Sequence, residues 1–90
     1  MFEYDPEKSA SNLAKHGIDF ADAQKLWHED RFVEGPAQWP GEERWMRVAR
    51  LDGKLWSAIF TVREGRVRLI SVRRARLKEE MQYGRKNKGG

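Results

Sequence analysis

The chain has 90 residues, enough for one hydrophobic core and too few for two independent ones. A hydrophobic fraction of 39%, with four Trp, four Phe and two Tyr, excludes wholesale disorder, and the absence of cysteine excludes disulfides and thiolate metal sites. The net charge of +4 is uneven: residues 63–88 carry ten Lys or Arg against three Glu, whereas the remainder carries eight against eleven Asp or Glu. This asymmetry is typical of a surface that binds a polyanion, although a solvated helix and tail would show it too.

No segment of the sequence has the features of an export signal, and no apolar run is long enough to span a bilayer. Small secreted domains usually need disulfides, which this chain cannot form. We therefore expect a cytoplasmic protein with a single domain over residues 1–85 and a flexible basic tail over residues 86–90.

The N-terminal residues 2–4 alternate apolar and polar side chains, which suggests a short strand. Asp5 and Pro6 then form an N-cap followed by proline at the first helical position, so a helix begins there. We expect it to end near His16, because Gly17 accepts the left-handed conformation of a C-cap.

Asp19 can cap a second helix. Phe20, Ala23, Leu26 and Trp27 follow it at the spacing of one helical face, which predicts an apolar stripe against the core. The two helices would form a hairpin with a very short joint.

The next segment, residues 31–34, suggests another strand, and the glycines and prolines of residues 35–41 predict a mobile loop. Trp39 lies in that loop. It has two possible roles, stacking on a nucleic-acid base or packing against the domain.

The pattern then becomes that of three antiparallel strands over residues 45–51, 55–62 and 67–72, with turns at 52–53 and 63–65. The middle strand has apolar residues on both faces, which requires a helix or a partner over each. The Asp19 helix can cover one face, and a final helix over residues 74–83 can pack near the other. The predicted class is α+β.

The composition leaves few kinds of chemistry. His16 and His28 are twelve residues apart and have no metal-binding spacing, and no serine stands in a nucleophile elbow. Arg, Lys, His, Glu and Tyr remain, and these suffice for RNA cleavage without a metal. A base takes the ribose 2′-proton, cations stabilise the pentavalent transition state, and an acid protonates the leaving 5′-oxygen.

Arginine suits the phosphate-binding role because its planar fork holds two oxygens and keeps its charge. Arg66 and Arg68 share one strand face, and Arg73 and Arg74 lie where strand gives way to helix, so a cluster of cations is expected at one end of the sheet. Any one of these arginines can equally be solvent-facing or paired with a carboxylate.

His16 is of the residue type that titrates nearest neutral pH, which makes it a candidate acid or base. A histidine at a helix end can also simply satisfy the final carbonyl groups. Tyr83 could stack on a base or donate to a phosphate, although tyrosine at such a position more often packs.

Two blocks of sequence resemble the BrnT toxins of bacterial type II toxin-antitoxin systems. They are Phe2-x-Tyr4-Asp5-x-x-Lys8-x-x-x-Asn12-x-x-Lys15-His16-Gly17-Ile18-x-Phe20-x-x-Ala23 and Val67-Arg68-Leu69-Ile70-Ser71-Val72-Arg73-x-Ala75, the latter followed by Glu79 or Glu80 and Tyr83. Mild departures occur at Tyr4, where Trp is common, at Val72, where Ala is usual, and at Glu80-Met81, where an acidic-Arg pair often stands.

The resemblance implies a RelE-like fold, with an N-terminal helical hairpin and a C-terminal helix packed on a three- to four-stranded antiparallel sheet. It implies a metal-independent endoribonuclease without cofactors, which cleaves RNA and inhibits translation. It further implies neutralisation by a BrnA-like DNA-binding antitoxin in a 2:2 heterotetramer that binds operator DNA.

Carried over to this sequence, the motifs imply Lys15 and His16 as proton-transfer groups and Arg68 and Arg73 as phosphate-binding groups, with Tyr83 as a weaker catalytic candidate. The remaining residues expected to contact or orient the substrate are Lys8, Arg63, Arg74, Glu79 and Glu80. Asn12 either extends the basic surface or ties its helix to a neighbouring segment. A nucleic-acid-binding module without catalysis, or a protein-interaction module, is the alternative function.

Overall fold

The computed structural model describes residues 1–38 and 40–88, and it confirms a mixed α+β architecture. Trp39, whose role the sequence leaves open, lies outside the described residues, as does the end of the expected tail. The elements are β1 (Phe2–Glu3), α1 (Pro6–His16), α2 (Phe20–Ala23), a 3₁₀ helix (Gln24–His28), β2 (Phe32–Ala37), β3 (Arg44–Leu51), β4 (Lys54–Arg63), β5 (Arg66–Arg74) and α3 (Leu77–Lys86).

The sheet contains the predicted meander, β3-β4-β5, but is larger than predicted. Its order is β1-β5-β4-β3-β2, so the expectation of three to four antiparallel strands was wrong: the described residues form five, and β1 runs parallel to β5. Both hairpins turn through two residues with positive φ, at Asp52-Gly53 and Glu64-Gly65, as a type I′ turn requires. These turns fix the register of the three central strands.

Helix α1 has the predicted ends. The Asp5 carboxylate accepts a hydrogen bond from the Glu7 N–H at 2.8 Å, and Pro6 occupies the first turn. Gly17 ends the helix with φ of +82°, and its N–H donates to the Leu13 carbonyl.

The second helix differs from the prediction. It is α-helical only over Phe20–Ala23 and continues as a 3₁₀ helix to His28. Ala23 and Gln24 take ψ of −24°, a value typical of the tighter 3₁₀ turn. The predicted stripe is nevertheless inside, since Phe20, Ala23 and Leu26 are fully buried.

Two boundaries were also wrong. Strand β2 continues through Gly35, Pro36 and Ala37, which the sequence assigns to a loop; because β2 is the outer strand, Pro36 can lack an N–H without breaking the sheet. Helix α3 begins at Leu77 rather than at residue 74, because β5 extends to Arg74. The helix ends at Lys86 rather than at residue 83. The flexibility of the expected basic tail stays a prediction.

The sheet has two unlike faces, because directly paired residues in antiparallel strands point to the same side. The core face carries Ala49, Trp56, Ala58, Phe60 and Val72 and packs against α2 and the 3₁₀ helix. The opposite face, here called the open face, is only partly covered by α3. Among the described residues no helix has the length and apolar character that crossing a membrane requires.

Candidate active site

A buried ion pair links β5 to α3 on the open face. Arg73 donates from Nη1 and Nη2 to the two carboxylate oxygens of Glu79, each at 2.8 Å. Glu79 also accepts from the Ser57 hydroxyl at 2.7 Å and from the Arg76 N–H at 2.9 Å. Because Glu79 is only 8% exposed, these four donors replace the water that the carboxylate loses.

The charges of this pair are mutually stabilised. Burial by itself would raise the pKa of Glu79, but hydrogen bonds from Arg73, Arg76 and Ser57 and the Arg73 charge outweigh it, and the pKa falls from 4.5 to about 2. The hydrogen bond to Glu79 raises the pKa of Arg73 against the opposing effect of burial. Arg73 is therefore a fixed cation rather than a proton donor.

One edge of the Arg73 guanidinium has no acceptor among the described residues. Glu79 occupies the end of the fork, and Nη1 also donates to the Arg74 carbonyl at 3.2 Å. Within the described part of the chain, no protein group accepts from Nε or from the second Nη2 proton. That remaining edge has the geometry that holds two phosphate oxygens, and the side chain is 19% exposed.

A cleft of about 650 Å³ opens beside this pair. Val48, Ser57 and Arg73 form one cross-strand row beneath α3, whereas the next row on the same face, Met46 and Ile59 with Ser71, is left uncovered. Arg76 and Lys78, at the start of α3, form part of the wall. The cleft exists because α3 covers only part of the open face.

Helix α1 contributes a second, smaller cavity of about 170 Å³ on the other side of β5. Asn12 fixes the helix there: its amide nitrogen donates to the Ile18 and Val72 carbonyls at 2.8 Å, and its oxygen accepts from the Val72 N–H at 3.2 Å. Lys15 and His16, in the last turn of the helix, line this cavity. Asn12 is therefore structural, tying α1 to the edge of β5.

The two cavities meet at a β-bulge. Ile59 pairs with Ser71 and Phe60 with Leu69, so Ile70 is an extra residue in β5. Ile70 and Ser71 line both cavities. We call the two cavities, taken together, the basic groove.

Charge is concentrated in this groove. The described residues that line the two cavities include one carboxylate, that of Glu79, and six Lys or Arg side chains: Lys8, Lys15, Arg44, Arg73, Arg76 and Lys78. The resulting balance of five positive charges, before His16 is counted, exceeds the net +4 of the whole chain. A groove of one charge sign concentrates anions.

Of the predicted site residues, Arg73 and Glu79 line the larger cleft, and Lys8, Lys15 and His16 line the smaller cavity beside it. Arg68 is not among them. It lies five residues before Arg73 on β5, about 15 Å along the strand, and forms an ion pair with Glu3 at 3.0 Å.

The other predicted residues lie outside the groove. Arg63, at the far end of β4, is 3.6 Å from Glu42, and Arg74 points to the core face, with its guanidinium 5.7 Å from the centre of the Trp56 ring. The guanidinium of Arg50 lies 6.0 Å from the centre of the Tyr83 ring. Glu80 follows Glu79 on α3 but does not bond Arg73, so Glu79 is the acidic residue that orients this arginine.

Sequence reasoning missed three residues that shape the site. Ser57, which fixes Glu79, is fully buried, and a small hydroxyl residue among the apolar residues of the middle strand was the available signal. Arg76 and Arg44 both line the cleft, and the sequence gives neither a place in the site. Their positions depend on where α3 begins and how far β2 extends.

The chain matches a known protein family over most of its length. Residues 4–79 match the family model described as the ribonuclease toxin, BrnT, of type II toxin-antitoxin systems. The match includes Lys15, His16, Arg68, Arg73 and Glu79 and ends before Tyr83. A search of curated proteins gave no significant match. Because the family model covers most of the chain, the protein belongs to the BrnT family of type II toxin-antitoxin ribonuclease toxins.

Proposed function

We propose that this toxin is a metal-independent endoribonuclease that cleaves RNA by attack of a ribose 2′-hydroxyl on the adjacent phosphate, and that translation stops as a result. The observation that carries the proposal is the position of Arg73: it lines a cleft that shares Ile70 and Ser71 with the cavity lined by His16 and Lys15. A cation, a titratable imidazole and an amine are the groups that this reaction needs.

In the proposed reaction, a base removes the 2′-proton as the 2′-oxygen forms a bond to phosphorus. The bond from phosphorus to the 5′-oxygen breaks, and an acid protonates that oxygen. The products are a 2′,3′-cyclic phosphate and a 5′-hydroxyl. His16 and Lys15 are the proton-transfer groups in this proposal, and Arg73 stabilises the charge that develops on the phosphorane oxygens. Glu79 acts through Arg73 as a positioning residue.

The remaining basic residues have a different part in the proposal. Lys8, Arg76 and Lys78 hold neighbouring phosphates along the groove, as their exposed positions allow. Arg68 stays a phosphate-binding candidate, but for a more distant part of the RNA. Arg63, Arg74, Glu80 and Tyr83, all outside the groove, are proposed as peripheral RNA contacts.

The family membership implies an antitoxin partner. We propose that this partner is BrnA-like, covers the basic groove, and joins two toxins and two antitoxins into a cytoplasmic complex that binds operator DNA. An acidic antitoxin segment would be complementary to the five excess positive charges of the groove. A RelE-like arrangement of the helices and the central meander is part of the same proposal.

The test is a cleavage assay on purified protein with RNA and excess chelator. We expect Arg73→Ala and His16→Ala each to lower the cleavage rate by about 100-fold or more, as the loss of a charge-stabilising or proton-transferring group does. Arg73→Lys keeps a positive charge beside Glu79, so the carboxylate stays paired. This variant therefore tests whether the planar guanidinium, and not only its charge, is needed. It should also lose most activity.

Arg66→Ala is the matched control, because Arg66 is an exposed arginine on the same strand as Arg73 and lines neither cavity. It should cleave at nearly the wild-type rate and give the same cyclic phosphate ends. Unchanged cleavage in both the Arg73 and His16 variants, with folding verified by circular dichroism, would remove this site assignment. Loss of all cleavage in chelator, restored by a divalent cation, would remove the metal-independent mechanism.

A further inference from the structure

The basic groove has an apolar floor next to Arg73. Met46, Ile59 and Ile70 come from three adjacent strands, and all three are half-buried and line the 650 Å³ cleft. Met46 pairs directly with Ile59, and the bulge places Ile70 beside Ser71, the partner of Ile59. Two interstrand spacings make this floor about 10 Å wide.

Such a floor is unusual in so charged a groove. The neighbouring row of the open face is sealed by α3, with Val48 only 2% exposed, whereas the Met46 and Ile59 row stays accessible. Side chains that bind phosphate alone gain nothing from an apolar surface between them. An apolar floor between cations instead matches a ligand with a flat, weakly polar body attached to an anion, which describes a nucleotide.

We propose that this floor binds a nucleobase turned out of its stack, next to a phosphate held by Arg73, so that the toxin selects single-stranded RNA. The inference rests on the proposed function, because it places the base beside the phosphate that is cleaved. In a duplex each base is paired and stacked, and only its edges are accessible, so no base face can reach the floor.

Binding to RNA that cannot be cleaved tests the inference directly. Two short probes, an oligoadenylate and an oligouridylate, both carry 2′-O-methyl groups and so lack the attacking hydroxyl. Their affinities therefore report binding alone. We expect both to bind more tightly than the same strands annealed to their complements and than an abasic strand with the same phosphates. Equal affinity for the single strand, the duplex and the abasic strand would overturn the proposal.

Variants of the floor locate the effect. Ile59→Ala and Met46→Ala leave every cation of the groove in place and should weaken single-strand binding on the order of tenfold, since each buried methylene contributes a factor of about four. Leu77→Ala is the control: Leu77 stands between Arg76 and Lys78 on α3 but is 72% exposed and lies outside the cleft. Equal losses in the Leu77 variant and in the floor variants would contradict the assignment.

Other outcomes separate this inference from the proposed function. Selective single-strand binding that depends on Ile59, in a protein that cleaves no unmodified RNA, would support the base site and remove the catalytic proposal. Cleavage of single-stranded and duplex RNA at equal rates would support the catalytic proposal and contradict the base site. If Ile59→Ala weakened the binding of an acidic peptide from the antitoxin but of no oligonucleotide, the floor would be a protein-docking surface and the proposal would fail.

Discussion

Replacing Glu79 with Gln should make the stability of this toxin less dependent on acid pH. Glu79 has a lower pKa in the folded protein, about 2, than the 4.5 usual for glutamate. A group of this kind stabilises the fold above its unfolded pKa, and the contribution is lost as pH falls through the folded pKa. The wild type should therefore lose this contribution between about pH 4.5 and pH 2.

The size of the effect follows from the two pKa values. A difference of about 2.5 pKa units corresponds to about 3 kcal/mol of unfolding free energy. The Glu79 and Arg73 side chains are 11% and 19% exposed, so water screens the pair in part, and we expect about 2 to 3 kcal/mol. Glutamine also presents an amide N–H₂ to the guanidinium, so the loss at neutral pH should reach at least that value.

Urea unfolding at a series of pH values between 7 and 2 measures the difference. Other carboxyl groups titrate in both proteins and cancel when the two curves are subtracted. The gap should be about 2 to 3 kcal/mol at neutral pH and should shrink as pH falls toward 2. Glu80→Gln, one residue along α3, should show no such gap. A gap that does not change with pH, or an equal one for Glu80→Gln, would refute the reasoning.

Two further predictions concern α1 and the helix ends. Asn12→Ala should lower the unfolding free energy by about 2 to 4 kcal/mol, because it leaves three buried backbone groups without partners; exposed Ser11→Ala is the control, and an equal loss there would contradict this role. Gly17→Ala should cost about 1 kcal/mol because φ is +82°, whereas Gly84→Ala, inside α3, should stabilise by about 0.5 to 1 kcal/mol. Thermal unfolding measures the change in stability of each variant. Changes of the same sign in the two glycine variants would contradict the prediction.

The central meander and the ends of α1 could be predicted because local chemistry decides them. Asp52-Gly53 and a turn at residues 63–65 stand between alternating apolar runs, and Asp5 and Gly17 have side-chain and backbone properties suited to helix ends. Lys15 and His16 were accordingly placed in the last turn of a helix. Their proximity to β5 depends on Asn12, whose structural role was only one of two possibilities.

The remaining features depend on contacts distant in sequence. Glu79 and Glu80 are equivalent as sequence, and only the start of α3 at Leu77 decides which carboxylate faces Arg73. The bulge at Ile70, a residue that lines both cavities, is not marked by a glycine or a proline in residues 67–72. The continuation of β2 through Pro36 is acceptable only because that strand is at the edge of the sheet.

Asn12 has a consequence for solubility as well as for the site. Beyond the two residues of β1, the backbone of β5 would be an open edge on which another chain could add a strand. Asn12 occupies both the N–H and the carbonyl of Val72, so that position offers no template for aggregation. The same helix carries Lys15 and His16. Selection for loss of toxicity should therefore yield Asn12 substitutions that accumulate as aggregated protein rather than as folded, inactive toxin.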